Sequence, residues 1–228
     1  DEKHAGNRLR FVWWKMSERN PVTSADLLTA AELCVDSLRR LDTELWNKLA
    51  YGLEWTRSKT AAHIADSLDF YSGDLAMRVQ EHLESAGLHY QEGTVEGAAG
   101  QIDFSAAALA RIAESTPAGV RAFHPTGMAD AEAFLAMGCV EILMHGHDSV
   151  VGTEAEFDPD NELCQRILGR LFPWAPLDTP GWLTLLWATG RGELDGQEFL
   201  GESWVWHNDL LSEWEGNIPR SQAWVDRQ

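Results

Sequence analysis

The sequence predicts a mainly α protein, an antiparallel four-helix bundle with a small, Trp-rich α+β C-terminal extension. Three observations lead there. Apolar residues recur at helical spacing in four long segments before residue 150. Alternation of β-branched residues is scarce over the same stretch. Beyond Pro173 the composition turns to Trp, Gly and short apolar runs, with seven of the eleven tryptophans from Trp174 onward. Four amphipathic helices bury their apolar faces most economically against one another, and that arrangement is a bundle.

The first helix follows Pro21. From Ser24, the residues Leu27, Leu28, Ala31, Leu33, Val35, Leu38, Leu41 and Leu45 repeat at helical intervals. Ser58 or Thr60 caps the second, which carries Ala61, Ile64, Ala65, Leu68, Tyr71, Leu75 and Val79. Residues 85–100 are polar and Gly-rich and read as a loop, after which a third helix runs from Phe104 to Ala113 and stops before Pro117. Pro125-Thr126-Gly127 marks a connection, and a fourth helix over 129–150 presents Ala133, Phe134, Met137, Val140, Ile142 and Leu143. Leu163 to Phe172 predicts one more helix. In the extension, Ser203-Trp204-Val205-Trp206-His207 alternates as a strand does. The expected organisation is an N-terminal extension over 1–20, a helical bundle over 21–173, and an extension over 174–228 that packs on the bundle. Met16 reads as a natural start, which leaves residues 1–15 as an upstream segment, native or not.

Composition narrows the function. Thirty-six acidic residues against eighteen Lys and Arg give a formal charge of −18, which repels phosphate backbones and anionic lipid surfaces and argues against nucleic-acid or membrane partners. The apolar runs, such as Trp182 to Ala188, fall far short of the roughly 20 residues that a membrane-spanning helix needs. Cys34, Cys139 and Cys164 are odd in number and widely spaced, which fits neither a disulfide framework nor a CxxC metal site; a reducing cytoplasm is the expected location. Small molecules remain as the expected partners, and the helix faces also allow pairing into a homodimer.

The chemistry concentrates in Val140-Glu141-Ile142-Leu143-Met144-His145-Gly146-His147-Asp148. Glu141 and His145 are four apart, one helical turn, so both reach a single cation from one face. They interrupt an apolar helix, where an unpaired charge is costly unless a partner or a metal compensates it. Imidazole and carboxylate together suit Zn²⁺ and other first-row divalent ions. The third ligand is His63, set among small and apolar residues near the start of the second helix; three protein ligands leave an open position for water or substrate. The competing readings are a chance Glu–His surface pair and a satisfied core histidine. Asp66 and Asp148 each lie three residues after a ligand candidate and can orient its imidazole, or else stand solvated on a helix face.

Glu54-Trp55, Thr60-Ala61-Ala62-His63-Ile64-Ala65-Asp66 and Glu141-Ile142-Leu143-Met144-His145-Gly146-His147-Asp148 together resemble the DinB-like superfamily, in particular the mycothiol-dependent maleylpyruvate isomerase group. Leu186-Trp187-Ala188-Thr189-Gly190-Arg191 and Trp204-Val205-Trp206 resemble that group's tail. The resemblance spans about 23–206. It implies a DinB-like four-helix bundle holding zinc through His63, Glu141 and His145, and a low-molecular-weight thiol such as mycothiol activated for transfer to, or isomerisation of, a small electrophile. It also suggests Arg191 as the contact for a carboxylate of the thiol or substrate, with a surface salt bridge as the alternative. A noncatalytic metal-binding or stress-response bundle and a metal-dependent hydrolase are the competing functions.

Overall fold

The computed structural model describes residues 19–81, 93–176 and 178–221. Nearly all of the expected N-terminal extension, and much of the polar stretch before residue 93, lie outside these residues. The first helix, α1, covers Ser24–Arg39 and opens with a capping box between Thr23 and Asp26. It ends sooner than the apolar pattern predicts. Leu41 and Leu45 fall beyond it, where the Asp42 side chain accepts the Glu44 N–H and draws the backbone out of the helix.

The second helix, α2, covers Arg57–Met77 and is capped by Thr56, which accepts the Lys59 N–H, rather than by Ser58 or Thr60. The third, α3, covers Val95–Ser115 and begins well before Phe104, because Thr94 caps Gly97 and Ala98, Ala99 and Ile102 already face the core. Gly97 and Gly100 had obscured that periodicity in the sequence. The predicted connection at 125–127 is the turn of a β-hairpin. Its strands, β1 (Arg121–His124) and β2 (Gly127–Asp130), pair antiparallel, with Ala122 opposite Ala129. Asp130 ends the hairpin and caps α4, Ala131–Val150, through the Ala133 N–H.

Two shorter helices follow, α5 (Asn161–Leu171) and α6 (Gly181–Ala188). The alternating segment at 203–207 is not a strand. A 3₁₀ turn over Gly201–Ser203 leads into extended chain whose His207 N–H donates to the Leu171 carbonyl at the end of α5, so it meets a helix end instead of a neighbouring strand. Among the described residues, the β structure of this α-rich chain is the hairpin and one isolated bridge, Leu49 with Thr56.

Contacts along the helices give the bundle's directions. Ser24 bonds to the Ala110 carbonyl and Arg39 pairs with Glu96, so α1 and α3 are antiparallel. His63 lies by Glu141 and Tyr71 by Phe134, so α2 and α4 are antiparallel. Leu27 approaches Gly138 and Cys34 approaches Gly146, so α1 and α4 run the same way. The order is up-down-down-up. Gly138 marks the centre: a Cβ there would come within 3.0 Å of Leu27, Leu68 and Leu109, one from each of the other three helices. Leu185, Trp187, Ala188, Leu200 and Trp206 from the tail join the same core as the bundle.

Candidate metal centre

Glu141 occupies the middle of α4, with Val140 and Ile142 buried on either side. His145 is one turn further on. The antiparallel run of α2 sets His63 opposite both. His63 Nε2 lies 3.5 Å and His145 Nε2 lies 3.4 Å from the same oxygen, Glu141 Oε2. One ligand atom from each of the three side chains falls within 4.8 Å of the others. His63 is 35 % exposed at its side chain and its two companions 14 %, so the cluster opens to solvent on the α2 side.

The donor set fits a small divalent cation. Glu141 Oε2 is buried and has no hydrogen-bond partner among the described residues, although two imidazole nitrogens converge on it at distances too long for well-formed hydrogen bonds. Bonds of about 2.0–2.1 Å in a tetrahedral site separate neighbouring ligand atoms by roughly 3.4 Å. The two spacings to Glu141 Oε2, 3.5 and 3.4 Å, match that edge. A buried acceptor of this kind is costly unless something positive sits against it.

A second ring of side chains holds the first. Tyr71 donates its hydroxyl to Glu141 Oε1 at 3.2 Å, which leaves Oε2 to face the imidazoles. Behind His145, Asp148 Oδ2 lies 3.3 Å from Nδ1. Asp148 is itself gripped by Arg191, whose Nε and Nη2 donate to its two oxygens at 2.9 and 2.7 Å. Arg191 Nη1 donates to the Thr189 carbonyl at 3.2 Å. The fork suggested for a ligand's carboxylate is thus engaged with Asp148. Asp66 is half-buried on α2, and the Ser67 hydroxyl lies 3.4 Å from His63 Nε2. The Trp55 and His63 rings meet in a T-shaped contact, with centroids 4.9 Å apart.

These contacts set the charge states. Burial alone would raise the Glu141 pKa, but His145 and His63 outweigh it and hold the carboxyl well below the usual range. Asp148 is likewise held low against burial by His145, His147 and Arg191. Burial opposes charge on His145, yet Asp148 and Glu141 prevail and bring its pKa up to about 8. Burial dominates at Tyr71, and with the Glu141 charge it raises the phenol well above 10, so the hydroxyl stays a donor. The three cysteines are free and buried; burial pushes Cys34 and Cys164 up to about 12, which makes both poor nucleophiles.

No protein-family model matches the sequence, nor does any curated protein. Among solved structures, the chain is similar to the crystal structure of a mycothiol-dependent maleylpyruvate isomerase, with a TM-score of 0.46 and 18 % identity over 63 % of this chain and 67 % of that one.

Sequence reasoning missed part of the ring. Tyr71 reads as one more apolar residue of α2, although its eight-residue spacing from His63 puts both on one broad face. The partnership of Arg191 with Asp148 joins positions far apart in the chain and leaves no local signal. A shallow hollow of about 400 Å³ bounded by Arg78, Gln80, Gly119, Val120, Arg121 and Met128 involves none of the cluster's side chains.

Proposed function

We propose that this chain is a metal-dependent enzyme. One divalent ion, zinc by the chemistry of its donors, is held by His63, Glu141 and His145, and a low-molecular-weight thiol such as mycothiol is the cosubstrate for transfer to, or isomerisation of, a small electrophile. The observation that carries the metal is the buried, unpartnered Oε2 of Glu141 with two imidazole nitrogens aimed at it. The thiol and the electrophile rest on the motif resemblance around His63 and Glu141. When bound, such an ion favours deprotonation of a thiol and polarises an electrophile's oxygen.

The chain's own residues do the positioning. Tyr71 turns the Glu141 carboxylate so that one oxygen faces inward. Asp148 sits behind Nδ1 of His145 and leaves Nε2 for the cluster, while Arg191 holds Asp148 in place. This arrangement favours a positioning role for Arg191 over contact with a ligand. Trp55 lines the side on which a thiol or substrate enters. We take residues 21–173 as the metal-binding bundle and 174–228 as the extension that supplies Arg191 to it.

Elemental mass spectrometry on protein purified without chelators or a nickel column tests the reading, alongside Glu141→Ala. Near-stoichiometric zinc in the wild type, lost in the variant together with thiol-dependent consumption of an electrophile, is the expected result. Wild-type protein without metal overturns it. Bound metal with turnover that needs no thiol points to the hydrolase, and bound metal with no turnover points to the noncatalytic bundle.

A further inference from the structure

The two oxygens of the Glu141 carboxylate have different partners. The imidazole nitrogens of His63 and His145 converge on Oε2, at 3.5 and 3.4 Å, while Oε1 accepts the Tyr71 hydroxyl at 3.2 Å. An ionised carboxylate only accepts hydrogen bonds, so the phenol is the donor in that contact. His63 and Tyr71, eight residues apart on α2, thus address different oxygens of one side chain.

Packing keeps the phenol in place. Tyr71 is 4 % exposed, and its ring meets Phe70 of α2, His124 of β1 and Phe134 of α4, with centroids 6.0, 5.6 and 5.9 Å apart. Phe134 precedes Glu141 by seven residues, two turns along one face of α4, so the helix that carries the carboxylate also seats the ring that bonds it. The asymmetry of Glu141 bears on the count of donor atoms. Zinc takes four protein ligands in a closed, structural site and three in a site that exchanges ligands. His63, His145 and both oxygens of a chelating Glu141 supply four donor atoms; with Oε2 alone they supply three.

We propose that Tyr71 is a positioning residue that confines Glu141 to a single donor atom and so keeps one coordination position of the metal for a monodentate ligand from outside the chain, such as a thiolate. This role deepens the enzyme reading above and rests on its metal. It assigns to one hydroxyl the difference between an open centre and a closed one. Tyr71 acts through Glu141 and touches no substrate.

The test compares wild type with Tyr71→Phe, which keeps the ring and removes only the hydroxyl. The full chain is loaded with Co²⁺, and two probes, mercaptoethanol and azide, are titrated in and followed by visible and near-ultraviolet absorption. Tyr71→Phe should bind each about tenfold more weakly, the scale of one hydrogen bond to a charged group, because Oε1 then competes for the same position. Its zinc affinity, measured by competition with a chelator, should stay level or rise, whereas loss of a merely structural support would lower it. Infrared difference spectra of zinc-loaded against zinc-free protein, with isotope-labelled glutamate carboxyl groups, give a reading on the wild type alone. The splitting between the antisymmetric and symmetric carboxylate stretches should be wide, as for one bound oxygen, and should narrow in Tyr71→Phe, as for two. A narrow splitting in loaded wild type, unchanged probe affinity in Tyr71→Phe, or a zinc affinity that falls in that variant overturns the proposal and leaves the metal standing. Wild type that takes up no metal overturns the enzyme reading along with it. Azide binding without mercaptoethanol binding, weakened in Tyr71→Phe, sustains Tyr71 and removes the thiol alone.

Discussion

At the residue scale, the site depends on a polar group beside each ligand: the Tyr71 hydroxyl by Glu141, the Ser67 hydroxyl by His63 and the Asp148 charge by His145. Asp148 is 3 % exposed at its side chain and touches both His145 and Arg191. Asp148→Asn keeps the shape but removes the charge that holds the imidazole, so zinc affinity should fall by about ten- to a hundredfold, measured by competition with a chelator. Arg191→Met should move affinity in the same direction. Because the two side chains act as one unit, the double variant should lose little more than Asp148→Asn alone; full additivity would show that Arg191 acts elsewhere.

At the scale of elements, the segment that carries Trp55 is fastened to the end of α4 by Arg57. Its guanidinium is buried and has no carboxylate partner among the described residues, and it donates to the carbonyls of Ser149 at 2.6 Å and Leu49 at 2.7 Å. The Ser149 carbonyl belongs to the last turn of α4, where helix carbonyls lack partners and favour a cation. The Tyr51 N–H donates to the Asp148 carbonyl at 2.7 Å and adds a second tie. Arg57→Met leaves these carbonyls unpaired, and urea unfolding should report a loss of about 2–3 kcal/mol. Hydrogen exchange should accelerate at Tyr51. Unchanged exchange there would mean that packing, not Arg57, fixes the segment.

At the scale of the whole molecule, the tail is tied down by two arginines, Arg170 buried and Arg121 half-buried. Arg170, 1 % exposed, donates to Asp130 and to the Asn208 carbonyl, while Arg121 bonds both Asp209 and Glu213. Fold and site share one pH dependence in metal-free protein. The His124 pKa is depressed by burial from 6.5 to about 4, so its contribution is complete above 6.5 and is lost as pH falls toward 4, about 3 kcal/mol in all. The His145 pKa is raised from 6.5 to about 8, so its contribution is complete below 6.5 and is lost as pH rises through 8, about 2 kcal/mol. Denaturant titrations should therefore give maximal stability near pH 6.5. Zinc should flatten the alkaline side, because a metal-bound imidazole is neutral. A stability that climbs steadily from pH 6.5 to 8.5 without metal would contradict the His145 assignment.

The sequence alone determined the helices of the bundle and the pairing of Glu141 with His145, because both follow from the 3.6-residue period, which is local. It also made His63 a candidate, through a titratable residue set in an apolar face. Some of its errors were local as well: Thr56 outranks Ser58 and Thr60 as a cap only in backbone geometry, and Gly97 and Gly100 hid the start of α3. Only the tertiary structure decided the convergence of His63 on Glu141 Oε2, the grip of Arg191 on Asp148, and the hydroxyl of Tyr71 on Oε1. Each of these is a contact between residues distant in sequence, set by which helices run together and where the tail crosses them, and no periodicity in the chain encodes that choice.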